Sequence, residues 1–327
     1  MSRRPSMPER ASLNSGILPA RVNVSPEAHH ELFHDWRKAL AFCRTIPEVG
    51  PREPVVFHMF WRQRRPGLWR RERRFGRKQA LPVKAFFATQ DLAQCSLVLW
   101  SDEDLSDNEW LRPFSSRLTF RIYSPDAEAR GTPLQARPAL YHQQDGRVWR
   151  DGDLFRTLVL HNHGGVYVDM DVVLLRSLGA LLDREFIYQW DDLDGEYNGA
   201  VMYLRKRSEF ARELIRGIAE IPAGKSNWGR ANFRRAFERG VRVTVFPSPF
   251  FDTDWQADSD FERTFRPFER TPNIDLYDGA FAWHWHNHWD DAIETGSKFQ
   301  LFEALIEKRL RQVDLSGTPA RQLAMAE

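Results

Sequence analysis

Two carboxylates within an apolar segment are the residues of this sequence best suited to chemistry. Asp169 and Asp171 lie in Val166 to Leu175, which is largely β-branched and apolar and is predicted to form a buried strand. Burial of unpaired carboxylates is unfavourable, so the pair needs a cation or an open strand end. Oxygen ligands suit Mg²⁺ or Mn²⁺, which keep open positions for substrate phosphates. The segment therefore predicts a metal and diphosphate site.

Three further polar residues are predicted to lie near this pair. Tyr167 shares a face with Asp169 and Asp171, because side chains along a strand alternate between its faces. Asp153 and Arg156 are one helical turn apart, so a hydroxyl-binding carboxylate and an anion-binding guanidinium share a helix face. The five side chains together indicate a site for a charged, hydroxylated ligand.

A short helix and a glycine pair must position these residues. Asp153 is placed to begin the helix as its cap or as a first-turn anion. Gly164 and Gly165 are predicted to end it, since glycine readily adopts the left-handed conformation. Apolar residues recur at helical spacing at Leu154, Phe155, Leu158 and Val159. An Asp-x-Asp triplet alone is typical of a solvated turn, but after this helix, break and apolar run it indicates a site.

The segment from Asp153-x-x-Arg156 through Gly164-Gly165-Val166-Tyr167-Val168-Asp169-Met170-Asp171 resembles the signature of glycosyltransferases with a DXD sugar-binding region. This family includes fungal Golgi α-mannosyltransferases, α-1,4-galactosyl and N-acetylglucosaminyl transferases, many bacterial polysaccharide enzymes and, more distantly, the glucosylating clostridial toxins. Loose similarity extends from about Pro54 to about Trp289. The resemblance implies an α/β, GT-A-like fold with a mostly parallel central sheet flanked by helices.

The resemblance also implies an activity and residue roles. The enzyme would move a sugar from a UDP- or GDP-sugar to an acceptor hydroxyl, with retention, in polysaccharide or glycolipid synthesis. Asp169 and Asp171 would hold Mn²⁺ or Mg²⁺, which neutralises the leaving diphosphate. Arg156 would orient the donor, Asp153 would bind a sugar hydroxyl, and Tyr167 would brace the site.

Aromatic residues end the first predicted strand, Pro54 to Trp61. Ligands in open α/β sheets bind beyond the carboxyl ends of the strands, so Phe60 and Trp61 are placed where a nucleobase could stack. The alternative is that Trp61 packs in the core. Asn198 matches a family position near the donor sugar, where an amide can bind hydroxyl groups without adding charge.

The segment Ala282 to Trp289 is unusually rich in His and Trp. His284 and Trp289 match the His and the terminal Trp that close the family's region, and an imidazole can complete a metal shell or donate to a leaving phosphate. His286 is the alternative ligand. A zinc site of His284, His286 and His288 on one strand face competes with this hypothesis, as does simple packing in a loop.

The other predicted elements alternate between strands and helices, which points to a mostly parallel sheet. A Gly-Pro pair begins the last helix in many relatives, but this chain has Trp228-Gly229, so the acceptor side stays unassigned. The acidic loop after Phe186 to Trp190 is interpreted as a solvated turn, or as a loop whose carboxylates bind sugar hydroxyl groups at the mouth of the pocket. The strands are Ser96 to Trp100, Leu118 to Tyr123, Phe186 to Trp190 and Gly199 to Leu204, and the helices are Glu31 to Ile46, Val83 to Leu92, Glu209 to Ile221 and Trp228 to Arg239.

Length and composition suit one large domain. With 327 residues and 42% hydrophobic content, residues 26–327 are expected to form a single domain after a loose tail, residues 1–25. Cys43 and Cys95 lie in apolar segments and are predicted to be buried thiols, which fits a reducing compartment. No stretch approaches the length of a membrane span and no signal-peptide core is evident, so the expected location is cytoplasmic, or peripheral at the inner membrane surface.

The basic run Arg62 to Lys78 has nine Lys or Arg in seventeen positions. It could guide a diphosphate, hold an anionic acceptor or touch an anionic membrane surface. The net charge of +2 is too small to imply nucleic acid.

Two other functions compete: an anionic-surface or nucleic-acid binding module using the basic run Arg62 to Lys78, and a metal-dependent phosphohydrolase or nuclease using Asp169 and Asp171. The chain lacks the downstream Thr of the aspartyl-phosphate hydrolases.

Overall fold

The structure is a computed structural model that describes residues 31–63, 73–142, 148–222, 228–257, 264–265 and 277–316. The predicted tail, residues 1–25, and the middle of the basic run, residues 64–72, lie outside the described residues.

Nine strands and nine helices carry the architecture of the described chain. The strands are β1 Val55–Trp61, β2 Cys95–Ser101, β3 Leu118–Ile122, β4 Gly165–Val168, β5 Val172–Leu174, β6 Phe186–Gln189, β7 Tyr197–Leu204, β8 Thr244–Phe246 and β9 Ala282–His284. The helices are α1 Trp36–Thr45, α2 Arg77–Thr89, α3 Pro125–Ala129, α4 Pro138–Tyr141, α5 Val148–His163, α6 Glu209–Ala219, α7 Arg230–Glu238, α8 Asp254–Ala257 and α9 Lys298–Leu310.

Seven strands form a central sheet in the order β3-β2-β1-β4-β7-β6-β8. Strand β7 pairs antiparallel with β4 and β6, and the other neighbouring pairs are parallel. Strands β5 and β9 form a separate antiparallel pair. The predicted α/β fold class, a mostly parallel central sheet flanked by helices, is confirmed.

Both faces of the sheet are covered, which explains why its strands are almost continuously apolar. Along β1, Phe57, Met59 and Trp61 join one hydrophobic cluster, whereas Phe60 joins the cluster on the opposite face. The alternation follows from the period of two residues along a strand. The core therefore lies in two layers, with the sheet between them.

A polar residue in the middle of β1 links the sheet to the end of helix α5. His58 is fully buried, and its Nε2 lies 2.9 Å from the Gly164 carbonyl oxygen while Trp100 Nε1 donates to its Nδ1 at 3.1 Å. Burial lowers the pKa of His58 to about 3, so its ring is neutral. A neutral imidazole can donate to the carbonyl through one nitrogen and accept through the other.

The glycine break after α5 has the predicted geometry. Helix α5 ends at His163, and Gly164 and Gly165 have φ angles of +70° and +101°. A Cβ atom at Gly165 would lie 2.2 Å from the Val56 carbonyl oxygen, so β4 can approach β1 only with glycine at this position.

Two predictions about the central segment are wrong in detail. Helix α5 begins at Val148, so Asp153 is not its cap but lies inside it. The segment Val166 to Leu175 is not one strand, because the chain turns after β4 and continues as β5 in the smaller sheet. The prediction failed because the residues on both sides of the turn are equally apolar.

The two cysteines are free and buried, as predicted. Burial raises the pKa of Cys43 well above its usual value and that of Cys95 to about 12, so both are protonated thiols. Within the ranges that the structure covers, no helix is both long and apolar enough to cross a membrane.

Candidate metal and donor site

The turn between β4 and β5 presents the two predicted metal ligands. The backbone N–H of Val172 donates to the Asp169 carbonyl at 3.1 Å, which closes the turn, and the N–H of Asp169 donates to the Ala200 carbonyl on β7 at 2.7 Å. Asp169 and Asp171 therefore lie at the end of a central strand, where ligands of α/β sheets bind.

Asp169 is held by donors from α5 and β4. The Tyr167 hydroxyl donates to its Oδ1, and Arg156 Nη1 donates to its Oδ2 at 3.3 Å. Burial, opposed by Arg156 and assisted by Asp171, raises the pKa of Asp169 to about 6. The site thus contains negative charge that the protein compensates only in part, which is what a cation site requires.

Arg156 and Asp153 share a helix face, as their spacing predicted, and they also form an ion pair, which was not predicted. Arg156 Nη2 donates to Asp153 Oδ1, and the guanidinium lies 5.5 Å from the centre of the Tyr167 ring. A Cβ atom at residue 229 would lie 2.8 Å from Asp153 Oδ2, so Gly229 allows the chain to pass close to this carboxylate. The pair connects the helix face to the metal-ligand turn.

Asp171 faces the C-terminal segment. Its Oδ2 accepts from the Asn287 N–H at 2.7 Å, and its Oδ1 lies 3.4 Å from His284 Nε2. The pairing of Val172 with His284 in the β5–β9 sheet fixes this approach. Burial alone would raise the pKa of Asp171, but His284 and the Asn287 N–H bring it below its ordinary value.

A carboxylate that the sequence did not reveal completes this side. Asp252, 1% exposed, places its Oδ2 3.2 Å from His284 Nδ1 and its Oδ1 2.9 Å from His286 Nε2. Trp255 Nε1 also donates to its Oδ2 at 3.0 Å. Burial opposes ionisation of Asp252, yet the imidazoles of His286 and His284 hold the pKa of this carboxyl well below its usual range. Burial also opposes protonation of His284, but Asp171 and Asp252 raise its pKa well above 6.5.

The three histidines of the alternative zinc hypothesis do not line one strand face. Strand β9 ends at His284, and His286 and Asn287 have φ angles of +56° and +63°. His288 Nδ1 lies 3.0 Å from Asp291 Oδ2, away from the other two rings. Among the described residues, the group that could hold a metal ion instead combines Asp252, His284 and His286.

The aromatic residues proposed to stack on a nucleobase are buried. Trp61 is 1% exposed, with its ring centre 4.9 Å from that of Trp289 and 6.4 Å from that of Phe75. Phe60 is stacked on Phe155 at 4.4 Å. Neither Trp61 nor Phe60 has a face open to a base, so the structure favours the core-packing alternative for these rings.

The remaining donor-site candidates lie near the carboxyl end of the sheet. Asn198 is 7% exposed and its Oδ1 accepts from the Ala200 N–H at 2.9 Å. Opposite it in the β6–β7 pair lies Tyr188, which is fully buried. In the acidic loop, Glu196 pairs with Arg230 and Arg234, so this residue stabilises the loop.

The described part of the basic run is engaged inside the protein. Arg62 pairs with Asp151, and Arg77 pairs with Glu303 on α9. Lys78 Nζ donates to the backbone carbonyls of residues 288, 289 and 291 at 2.5, 3.2 and 2.6 Å. Arg77 and Lys78 fasten the C-terminal segment to α2, and residues 64–72 of the run lie outside the described residues.

The chemistry of the central residues fits a divalent cation. Asp169, Asp171 and His284 offer carboxylate oxygens and an imidazole nitrogen, a donor set suited to Mn²⁺. The buried and incompletely compensated charge of Asp169 supports this fit.

Residues 134–188 match the family model described as "Glycosyltransferase sugar-binding region containing DXD motif". Over these residues the chain is similar to the DXD region of that family. The match includes the helix, the glycine break and both carboxylates, so the resemblance inferred from the sequence is confirmed.

Similarity to individual proteins is local or distant. An uncharacterized protein of Arabidopsis thaliana is 44% identical over 64 residues, which span 19% of this chain and 10% of that protein. The solved structure named PaToxG glycosyltransferase is 16% identical, with 66% of this chain and 79% of that one covered and a TM-score of 0.44. Mouse xyloside xylosyltransferase 1 is 10% identical, with 72% and 98% covered and a TM-score of 0.43. The glycosyltransferase GlyE of Streptococcus pneumoniae is 11% identical, with 81% of this chain and 62% of that one covered and a TM-score of 0.45.

Asp252 is the residue that sequence reasoning missed. It follows Phe250 and Phe251 and is separated from Trp255 by Thr253 and Asp254. An acid among large apolar residues is a weak signal of a buried polar site, because an unpaired buried carboxylate would be costly. Its partner His284 is 32 positions away, and no local pattern predicts that contact.

Proposed function

We propose that this protein is a metal-dependent glycosyltransferase that moves a sugar from a nucleotide-diphosphate donor, a UDP- or GDP-sugar, to an acceptor hydroxyl. The observation that carries the proposal is the meeting of two groups of side chains. The Asp153–Arg156–Asp169 network comes from α5 and the β4 end, and the Asp171–His284 pair comes from the β5–β9 sheet.

The cation in this proposal would be held by Asp169, Asp171 and His284, and it would supply Lewis-acid stabilisation of the charge on the leaving diphosphate. Arg156 adds a fixed positive charge at the same place. Because its guanidinium is buried against Tyr167 and paired with two carboxylates, it is already oriented when the donor arrives. Such preorganised charge costs no rearrangement during the reaction.

Asp153 is proposed to bind a hydroxyl of the donor sugar. Its Oδ1 is used by Arg156, and it lies next to Gly229, where the missing side chain leaves the carboxylate close to the chain that begins α7. Asn198 on β7 is proposed as a second, neutral partner for the sugar. The two residues would fix the anomeric carbon relative to the acceptor.

Retention of configuration and an acceptor of the glycan or glycolipid class are the finer parts of the proposal. They are supported by the resemblance of the Asp153 to Asp171 segment to enzymes of polysaccharide and glycan synthesis. The proposed location is cytoplasmic or peripheral at an anionic membrane surface, with any surface contact made through the basic run Arg62 to Lys78.

The test is turnover of donors without a known acceptor. Metal-free protein is given Mn²⁺ and a panel of UDP- and GDP-sugars, and release of free sugar and nucleoside diphosphate is measured by chromatography. One donor is expected to be hydrolysed slowly and only with the cation, and Asp169→Ala and Asp171→Ala are expected to abolish this release. Release of a nucleoside monophosphate and a sugar phosphate instead would indicate a phosphohydrolase, and release by both variants at the rate of the unmodified chain would refute the proposal.

A further inference from the structure

The group formed by Asp252, His284 and His286 has the composition of a zinc site. Two imidazoles and one carboxylate are a common set of protein ligands for catalytic zinc, with a fourth position left open. The potential ligand atoms of the three side chains all lie within 4.8 Å of one another. We propose that these residues bind Zn²⁺ at a site adjacent to the two DXD carboxylates, and that zinc bound there opposes the donor-site cation.

Two ligand-atom distances are close to those of a tetrahedral zinc site, each through a different oxygen of Asp252. Zinc lies about 2.0 to 2.1 Å from nitrogen and oxygen ligands, so tetrahedral ligand atoms are about 3.3 Å apart. Asp252 Oδ2 is 3.2 Å from His284 Nδ1, and Asp252 Oδ1 is 2.9 Å from His286 Nε2. The two imidazole rings lie with their centres 4.2 Å apart. Small side-chain rotations would bring the three ligands around one ion.

Neighbouring side chains hold the three ligands in place, and the site is partly open to solvent at His286. Trp255 donates to Asp252 through its indole N–H, and its ring centre lies 4.5 Å from that of His286. Such partners orient metal ligands and raise affinity. The side chain of His286 is 12% exposed, whereas that of Asp252 is 1% exposed. An ion can therefore enter past His286 and reach a buried carboxylate.

Zinc at this site should weaken binding of the donor-site cation because an imidazole offers only one lone pair. This part of the inference rests on the proposed function. A neutral imidazole has one N–H and one free lone pair. When His284 gives the Nδ1 lone pair to zinc, its Nε2 keeps the proton and points toward Asp171 Oδ1, 3.4 Å away. His284 then has no lone pair for a cation held by Asp169 and Asp171. Zinc would remove one of the three proposed ligands of that cation.

Direct binding tests the site without any donor. Untagged, metal-free protein is titrated with Zn²⁺ in competition with a zinc indicator. One zinc ion is expected per chain. The affinity for zinc should be lower by at least about 100-fold in His286→Ala, since loss of even an outer-shell partner lowers metal affinity by about 10- to 100-fold. His288→Ala is the matched control and should bind like the unmodified chain. Asp169→Asn should also retain zinc.

Several results would overturn the site: no zinc binding, equal loss in His288→Ala and His286→Ala, or loss in Asp169→Asn alone. Asp252→Asn serves as a second variant if circular dichroism shows that His286→Ala does not fold, and it too should lose zinc. In the donor assay with Mn²⁺, zinc should inhibit the unmodified chain, and inhibition of His286→Ala should need about 100-fold more zinc, as the loss of affinity requires. Inhibition of equal strength would refute the opposition. Zinc binding without any donor turnover would leave the site standing and refute the proposed function.

Discussion

Replacing Asp169 with asparagine should stabilise the metal-free protein at neutral pH. Burial raises the pKa of Asp169 from 3.8 to about 6, so the folded protein at pH 7 carries a charge that burial disfavours. That difference corresponds to about 3 kcal/mol of unfolding free energy, at about 1.36 kcal/mol for each pKa unit. An asparagine side chain would carry no charge, so the variant should gain up to about 3 kcal/mol, less what its weaker hydrogen bond to Arg156 loses.

The pH dependence of this gain distinguishes it from a general packing effect. Between about pH 4 and pH 6 the folded chain binds a proton at Asp169 that the unfolded chain has released. The stability contributed by this group therefore falls as the pH rises through that window. The gain of Asp169→Asn over the unmodified chain should be largest at about pH 7 and should vanish near pH 4.

Urea unfolding with a chelator present, at about pH 4, 5.5 and 7, measures the gain. Asp107→Asn is the control, since Asp107 is exposed, and it should change stability little at any pH. Addition of Mn²⁺ should stabilise the unmodified chain but not Asp169→Asn. The reasoning is refuted if Asp169→Asn is destabilised at neutral pH, or if its gain is the same at all three pH values.

Three other substitutions test the supports of the site. Gly165→Ala should cost more than about 3 kcal/mol in urea unfolding, because its Cβ would meet a β1 carbonyl at 2.2 Å, whereas Gly131→Ala, with positive φ but open space, should cost only about 1 kcal/mol; equal costs would contradict this. Lys78→Met leaves three carbonyls of the 288–291 segment without their donor, so it should lower the unfolding free energy by about 2 to 4 kcal/mol and speed amide exchange in that segment. The control Lys308→Met, at an exposed lysine, should do neither, and unchanged amide exchange in Lys78→Met would contradict the prediction. Asp252→Asn should weaken Mn²⁺ binding by about 10- to 100-fold in calorimetry because it no longer orients a histidine ligand, and unchanged affinity would contradict that role.

The sequence predicted six of the seven central strands, because these strands carry a strong signal, but it missed β8. Strand β2 was predicted as Ser96 to Trp100 and extends one residue further at each end, and β7 begins two residues before the predicted Gly199. Buried strands of a covered sheet are short apolar runs between polar breaks, which a sequence reveals directly. The glycine break was predictable for a similar reason, since only glycine readily adopts the two positive φ angles there.

Features that depend on distant contacts were not predictable. The turn after β4 is invisible to periodicity, because Met170 and the residues of β5 are as apolar as β4. Burial of Trp61 depends on Trp289, which lies far along the chain. The same holds for the link between Asp252 and His284. Such contacts are set by how the C-terminal segment packs on α2, which no short motif encodes.

Cation-dependent binding of a nucleoside diphosphate is the most direct test of the proposed donor site. Calorimetry of UDP and GDP on the metal-free protein, with and without Mn²⁺, measures it without an acceptor or an intact donor. One of the two nucleotides should bind only when Mn²⁺ is present, and Asp171→Ala should abolish that binding. Equal binding of the nucleotide with and without Mn²⁺, or binding that Asp171→Ala leaves intact, would contradict a donor site built on the two carboxylates.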